Sequence, residues 1–177
     1  MELLLRSAHL KDAEAIEKIY AHHVLNGTAS FDTVPRTLAE TQERITMITA
    51  KGWPFIVAES SGTVVGYAYA TQFRERAAYA STCENSIYVL ADQRGSGIGD
   101  ALLRDLVQHA TACGFRQMIA VIGGGEPASV AVHEKLGFRH AGQMKSVGRK
   151  KGKWLDTIYM QVALGDGDSS APDREPT

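Results

Sequence analysis

The sequence predicts a mixed α/β domain with one central sheet. Three observations carry this expectation. Ile87-Tyr88-Val89-Leu90 is an apolar strand that runs through a polar turn and the glycine-rich Arg94-Gly95-Ser96-Gly97-Ile98-Gly99 into an amphipathic helix. Gln117 to Ile122 is a continuous apolar run, the pattern of a strand buried on both faces. Along the whole chain the expected order is β-α-α-β-β-β-α-β-α-β-β, strands and helices interleaved around one sheet.

The 177 residues fit one domain, 44% apolar and 22% charged, as in ordinary globular proteins. A formal charge of −1 gives no field for nucleic acid. Nothing nears the roughly eighteen uninterrupted apolar residues that a membrane helix needs. The opening MELLLRSAHLKDAE, with Arg6 early and a very short apolar run, is not a signal peptide. Cys83 and Cys113 have neither metal-ligand spacing nor a disulfide framework, so no metal is expected and a reducing cytoplasm suits the chain.

In order, Glu2 to Ser7 reads as a short strand. Lys11 to Leu25 carries Ile16, Ile19, Tyr20 and Val24 near helical spacing; Asp12 at its start, and His22 and His23 at its end, suit the helix dipole. Asn26 to Arg36 is a polar loop with Phe31 in its middle. Thr37-Leu38-Ala39-Glu40 is a capping box that starts a second helix, which Gly52 stops. Phe55–Glu59 and Thr63–Ala70 form a hairpin about Ser61-Gly62. A loop over 71–80 carries Arg74, Arg76 and Tyr79, and Thr82 to Leu90 is the next strand. Gly97 to Cys113 is a helix with Ile98, Leu102, Leu106 and Ala110 in an i, i+4 stripe toward the core. After the strand at 117–122, three glycines lead to a helix from Pro127 to Leu136, which Gly137 ends. Phe138 to about Ser146 and Trp154 to Leu164 are strands. Between them VGRKKGK, with Lys145 just before it, forms a basic cluster read as a solvated hairpin tip. The domain thus spans 1–164, and the apolar-poor 165–177 is expected to be disordered.

A glycine-rich turn between a strand and a helix binds phosphate, because the first helical N–H groups lack partners and the dipole favours an anion. A dinucleotide fingerprint would need glycine where Asp100 stands. A Walker loop would need Gly-Lys followed by Ser or Thr, which is absent. What remains is Arg/Gln-x-x-Gly-x-Gly, met by Arg94, Gly97 and Gly99, and here the chain resembles the GNAT N-acetyltransferases. The resemblance implies their single-domain fold, a mixed central sheet with helices on both faces and two strands splayed apart around acetyl-coenzyme A. It narrows further. T-A-S-F-D at 28–32, V-V-G-Y-A-Y at 64–69, F-R-E-R-A-A-Y at 73–79, E-N-S-I-Y-V at 84–89, A-V-I-G at 120–123, H-E-K-L-G-F at 133–138 and V-G-R-K-K-G-K-W-L-D at 147–156 resemble the phosphinothricin and methionine sulfoximine acetyltransferase branch.

Acetyl transfer to a primary amine needs a neutral amine, a stabilised oxyanion and a protonated thiolate. A free α-amine is mostly protonated near neutral pH, so a base is required. The resemblance implies Glu84 as that base, directly or through water, against the plain reading of a solvent-facing strand glutamate. It implies a bulge that frees a backbone N–H near Ile87, Tyr88 and Val89 for the oxyanion. Arg94, Gly95, Ser96, Gly97, Ile98 and Gly99 would hold the pyrophosphate. His133 stands where many relatives carry a tyrosine near the coenzyme sulfur, so it is a candidate to protonate the thiolate or orient the coenzyme, or else a packed helix histidine. Where the family has an asparagine contacting the coenzyme, this chain has Glu126, an acceptor only when ionised; Ser129 is a candidate to compensate. Arg74 and Arg76 are candidates to hold an acidic acceptor through their planar forks, with Phe31 and Tyr79 as walls. The expected activity is direct acetylation of the α-amine of a small glutamate-like amino acid, with Cys83 and Cys113 carrying no acetyl group. Alternatives are acetylation of protein N-termini or lysines, and a non-catalytic coenzyme A sensor. A homodimer is implied by the resemblance alone.

Overall fold

The computed structural model describes residues 3–173; Glu2 of the expected first strand and the last four residues of the expected tail lie outside them. The strands are β1 (Leu3–Ser7), β2 (Phe55–Ser60), β3 (Thr63–Gln72), β4 (Thr82–Val89), β5 (Gln117–Gly123), β6 (Arg139–Lys150) and β7 (Lys153–Ala163). The helices are α1 (Ala13–Asn26), α2 (Leu38–Ala50), α3 (Ile98–Ala112) and α4 (Pro127–Lys135). One sheet runs β1-β2-β3-β4-β5-β7-β6, antiparallel throughout except for the parallel pair β4–β5.

Strand alternation divides the core between the two faces. Phe55, Val57, Tyr67 and Tyr69 lie under α1 and α2, with Ile16, Ile19, Val24, Ile45 and Ile48. Ile56, Ala58, Ala68, Ala70 and Cys83 lie under α3, whose Ile98, Leu102, Leu106 and Ala110 form the expected stripe. The capping box of α2 forms as its residues demand. Glu40 N–H donates to Thr37 Oγ1 at 3.3 Å, and Thr37 N–H donates to the Glu40 carboxylate at 2.7 Å.

The structure departs from expectation at the end of the chain. β6 is longer than expected, running on to Lys150, and β7 begins at Lys153, so most of the basic stretch lies in the strands rather than between them. A two-residue turn, Lys151-Gly152, joins them with φ of 51° and 74°, the twist that suits a tight hairpin. The pattern of β6 is hard to read because its register shifts twice, between His140 and Gly142 and between Met144 and Gly148. Asp156 on β7 holds the second shift: its carboxylate accepts from Ser146 N–H at 2.9 Å and from Gln143 Nε2 at 2.8 Å. Lys150 is buried, so that member of the basic cluster is no solvated tip. Of the tail from 165 on, Asp166, Ser170 and Ala171 all take the Arg116 guanidinium, a set of partners that composition does not reveal.

The loop between α1 and α2 is pinned from several sides. Lys150 Nζ donates to Ser30 O at 2.8 Å, and Tyr20 donates to the Asp32 carboxylate. The ring of Phe31 lies in a slot between two glycines on neighbouring parts of the sheet. A Cβ on Gly123 would come within 2.8 Å of that ring, and one on Gly148 within 2.3 Å. Gly148→Ala is therefore expected to unseat Phe31 and destabilise the protein by about 1–3 kcal/mol, as overpacking does. Thermal unfolding measures this, with Phe31→Leu in the same background restoring part of the loss. An unchanged melting temperature in Gly148→Ala would show that the ring does not occupy the slot.

Candidate active site

Parallel pairing of β4 with β5 covers only Thr82–Asn85 against Gln117–Ala120. Beyond it β4 runs on to Val89 paired to β3 alone, and β5 to Gly123 paired to β7 alone. The edge of β4 from Ser86 onward faces a gap, and two cavities open into it, of about 310 and 450 Å³. Ala29, Ile87, Tyr88, Ser129 and His133 line both, so the two meet at the parting of the strands.

The larger cavity lies against the glycine-rich turn. Gly95 and Gly97 have φ of 76° and 85°, left-handed values that favour glycine and bring the chain round to the start of α3. Gly99 also lines the cavity, leaving the first turn of α3 without a side chain there. Arg94 and Glu126 line it as well. The turn, the unpartnered N–H groups that begin α3 and the Arg94 guanidinium together fit a polyphosphate. Two members of the expected set are placed differently: Ile98 is core, and Ser96 Oγ donates to Gln93 O at 2.5 Å. His23, expected to be an ordinary helix residue, lies here too. Its Nε2 is 2.8 Å from Val89 O and its Nδ1 is 3.4 Å from Arg94 Nη2. The carbonyl needs a donor and the guanidinium an acceptor, so the neutral ring carries its proton on Nε2 and links the end of β4 to the arginine of the turn. Burial holds its pKa below the ordinary histidine value.

The smaller cavity lies under α1 and α2. Glu84, Ser86 and Tyr88 face it because they pair across with Thr71, Tyr69 and Tyr67 on the same face of β3. Glu84 is substantially buried, which raises its pKa; Arg74 and Arg44 oppose this through space. Tyr20, Phe31, Asp32, Tyr69, Arg36 and Arg44 complete this side. Arg76 and Tyr79 do not line it. The loop holds them outside: Gln72 Nε2 donates to the carbonyls of Arg74 and Arg76 at 2.6 and 3.3 Å. Tyr79 packs edge-on against Phe73, and Arg74 stacks on that same ring. Arg74 reaches the site only as a field at Glu84. Sequence reasoning passed over Arg36 and Arg44. They sit on and beside an amphipathic helix where a cation normally faces water, and only the packing of α2 against the tyrosines of β3 turns them inward.

His133 sits on the opposite lip with 4% of its surface exposed. Its Nδ1 is 2.7 Å from Ser129 O and therefore carries the proton. Burial lowers its pKa, so the ring is neutral and Nε2 is an acceptor. Nε2 lies 3.1 Å from Asn85 Oδ1, while Asn85 Nδ2 is buried with no partner. Turning the amide over pairs Nδ2–H with Nε2 and satisfies both groups. With both nitrogens so engaged, the histidine expected as a proton donor has no proton at Nε2 to give. Neither cysteine belongs to the site. Cys83 is buried under α3, its thiol pushed up to about 12, and Cys113 lines neither cavity. Among the described residues no cluster suits a metal ion, and no helix is long and apolar enough to cross a membrane.

Residues 5–159 match the family model of the acetyltransferase (GNAT) domain. The phosphinothricin N-acetyltransferase of Alcaligenes faecalis is 45% identical over 163 residues, 92% of this chain and 83% of that protein. The L-methionine sulfoximine/L-methionine sulfone acetyltransferase of Pseudomonas aeruginosa is 40% identical over 97% of this chain and 100% of its own length. The crystal structure of a GNAT superfamily phosphinothricin acetyltransferase from Sinorhizobium meliloti, in complex with acetyl-coenzyme A, superposes with a TM-score of 0.96 at 48% identity. It covers 99% of this chain and 96% of that one.

His23 and His133 give the fold a pH dependence whose sign is fixed. Both have folded pKa values below the 6.5 of a free histidine. Their contribution is complete above that value and is lost as pH falls through it toward the folded values. Thermal unfolding followed from pH 7.5 down to about 5, where histidine is the side chain that ordinarily titrates, should show a falling midpoint. His133→Gln and His23→Gln should each flatten part of the slope. A slope unaltered in both variants would show that the rings are not held neutral.

Proposed function

From the premise that this chain belongs to the GNAT acetyltransferase family, we propose that it acetylates the α-amine of small glutamate-like amino acids such as phosphinothricin, methionine sulfoximine and methionine sulfone. The observation that carries the reading is a half-buried carboxylate, Glu84, facing a small cavity that meets the glycine-turn cavity at the parting of β4 and β5. The names and coverage of the relatives support the same acceptor class.

Bound acetyl-coenzyme A supplies the thioester whose acetyl group is transferred. The glycine turn and Arg94 hold its pyrophosphate, and His23 holds Arg94. Glu126 begins α4 on the wall of that cavity, so a carboxylate there weakens rather than aids the hold on a polyanion, while Ser129 lines both cavities. Glu84, its pKa raised by burial, takes a proton from the acceptor ammonium on the α2 face of β4. The register of β4 on β3 runs unbroken, without the bulge expected here, so its N–H groups alternate: that of Tyr88 faces β3, and those of Ile87 and Val89, on the edge that β5 leaves uncovered, meet the charge that develops on the acetyl oxygen. His133 and Asn85 are positioning residues that fix the other lip. With no thiol in the site, transfer is direct. The reading includes one catalytic domain over 1–164 with a tail beyond it, a cytoplasmic setting that suits two free thiols, and a homodimer, for which β6 offers an open edge.

Thiol release from acetyl-coenzyme A with phosphinothricin, methionine sulfoximine, methionine sulfone, glutamate, methionine and short peptides tests the acceptor class. Strong release with the sulfoximine or phosphinothricin and little with peptides is expected. Preference for peptides would move the activity to protein termini, and coenzyme binding without turnover would make the protein a sensor. Glu84→Gln should lower kcat by about 10²–10⁴-fold. In the wild type the rate should climb with pH as the raised carboxyl ionises, and the variant should lose that limb. Full kcat in Glu84→Gln across the pH series would remove the base assignment.

A further inference from the structure

We propose that Lys135 is a coenzyme-binding residue that exchanges its bond to Asp100 for one to a coenzyme phosphate, so that Asp100 competes with the coenzyme and lowers its affinity. The inference rests on the acetyl-coenzyme A reading of the larger cavity and names two residues that tune it. Lys135 is the last residue of α4, and Asp100 lies in the first turn of α3. Both line that cavity, and the Lys135 ammonium donates to the Asp100 carboxylate. The two helices meet at the glycine turn itself: a Cβ on Gly99 would lie 3.8 Å from Val132 on α4. The ion pair therefore joins α3 to α4 beside the N–H groups that would hold the pyrophosphate.

The charges around the cavity, taken together, do not favour a polyanion. Arg94 and Lys135 are its cations, Asp100 and Glu126 its anions, and His23 and His133 are held neutral. Arg94 makes no ion pair among the described residues, whereas the charge of Lys135 is answered by Asp100. A carboxylate in the first turn of a helix sits at the positive pole of its dipole, the same place that a pyrophosphate uses. Asp100 thus stabilises α3 and opposes the ligand at once. The two side chains differ in freedom. Lys135 is 64% exposed at the end of a flexible stem, while Asp100 is short and 21% exposed. An exposed pair of this kind is weak, because water screens it and the lysine loses rotamer freedom in it. A phosphate offers more charge and several acceptor oxygens, so the ammonium gains by moving to it. Asp100, left without its lysine, then faces the negative charge of the ligand. The two partners of one ion pair therefore act on coenzyme affinity in opposite directions, which a bond that merely clamps α3 to α4 would not do.

Calorimetric titration of coenzyme A, and of dephospho-coenzyme A, which lacks the ribose phosphate, compares wild type with Asp100→Asn, Lys135→Gln and Lys135→Arg. Lys18→Gln, which removes an exposed ion pair on α1 and lines neither cavity, is the control. Lys135→Gln should raise the Kd for coenzyme A about two- to fivefold, and Asp100→Asn should lower it by a similar factor, the size of single exposed charges near a helix end. Lys135→Arg should restore most of the loss. Asp100→Asn should bind more tightly although it melts at a lower temperature, since the dipole of α3 loses its carboxylate. KM for acetyl-coenzyme A in thiol release should follow the same order. A loss in Lys135→Gln that is equal for both ligands puts the ammonium on the pyrophosphate, and a loss confined to coenzyme A puts it on the ribose phosphate; either supports the exchange. Asp100→Asn that fails to tighten binding, or a wild-type Kd in Lys135→Gln, would overturn the exchange and leave the acetyltransferase reading standing. Wild type that binds neither ligand would overturn both.

Discussion

β4 and β5 stay together for four residue pairs and then separate, and the site is built in the opening between them. A buried sheet normally covers its backbone on both sides, and an uncovered edge is a cost unless something else meets it. Here the uncovered stretch of β4 faces two cavities, one against the glycine turn and one against α2. The cavities share Ile87, Tyr88, Ser129 and His133. A long thioester laid along one side and a small amine placed on the other can meet only at that opening. Neither cysteine lines either cavity.

The walls of the opening are held by contacts from distant parts of the chain. Asn85, at the last paired position of β4, reaches His133 on α4, and His133 reaches back to Ser129. On the other side His23 on α1 takes the carbonyl of Val89 and faces Arg94, tying the end of β4 to the phosphate turn. His133 is buried and His23 half-buried, both are held neutral, and each acts through one donor and one acceptor rather than through charge. Above the acceptor side, Phe31 closes the wall by lying where Gly123 and Gly148 have no side chains, and Lys150 anchors the loop that carries it. The register shifts of β6, held by Asp156, bring Gly148 and Lys150 to that loop.

Glu84 and Asp32 bring anions to the smaller cavity and Arg36 and Arg44 bring cations; Arg36 lies on the Tyr20 ring and meets Asp32 at 3.6 Å, and Arg44 lies on the Tyr69 ring. A base must be ionised often enough to accept a proton and yet basic enough to hold it. Burial raises the pKa of Glu84, and the fields of Arg74 and Arg44 oppose that rise.

Short-range pattern was enough for most elements, because a helix stripe, a capping box and a glycine stop are set by residues within a few positions of one another. Thus α2 begins at its Thr37–Glu40 box, and the glycine turn stands between β4 and α3 as its residues require. The placing of Glu84 on β4, ahead of that turn, was also legible, since its motif lies on a strand that leads straight into it. What the sequence could not show was which cations face the cavity. Arg74 and Arg76 stand in a compact Arg-Glu-Arg loop whose own contacts, Gln72 to its carbonyls and Tyr79 on Phe73, set where the guanidinium groups lie. Arg36 and Arg44 look like solvent-facing residues around a helix, and they turn inward only because α2 packs over the tyrosines of β3. The role of His23, the engagement of His133 Nε2 and the burial of Lys150 likewise depend on partners 48 to 120 residues away. Local spacing determined the elements and the phosphate turn; the direction in which a long polar side chain points was decided by which distant surface it met.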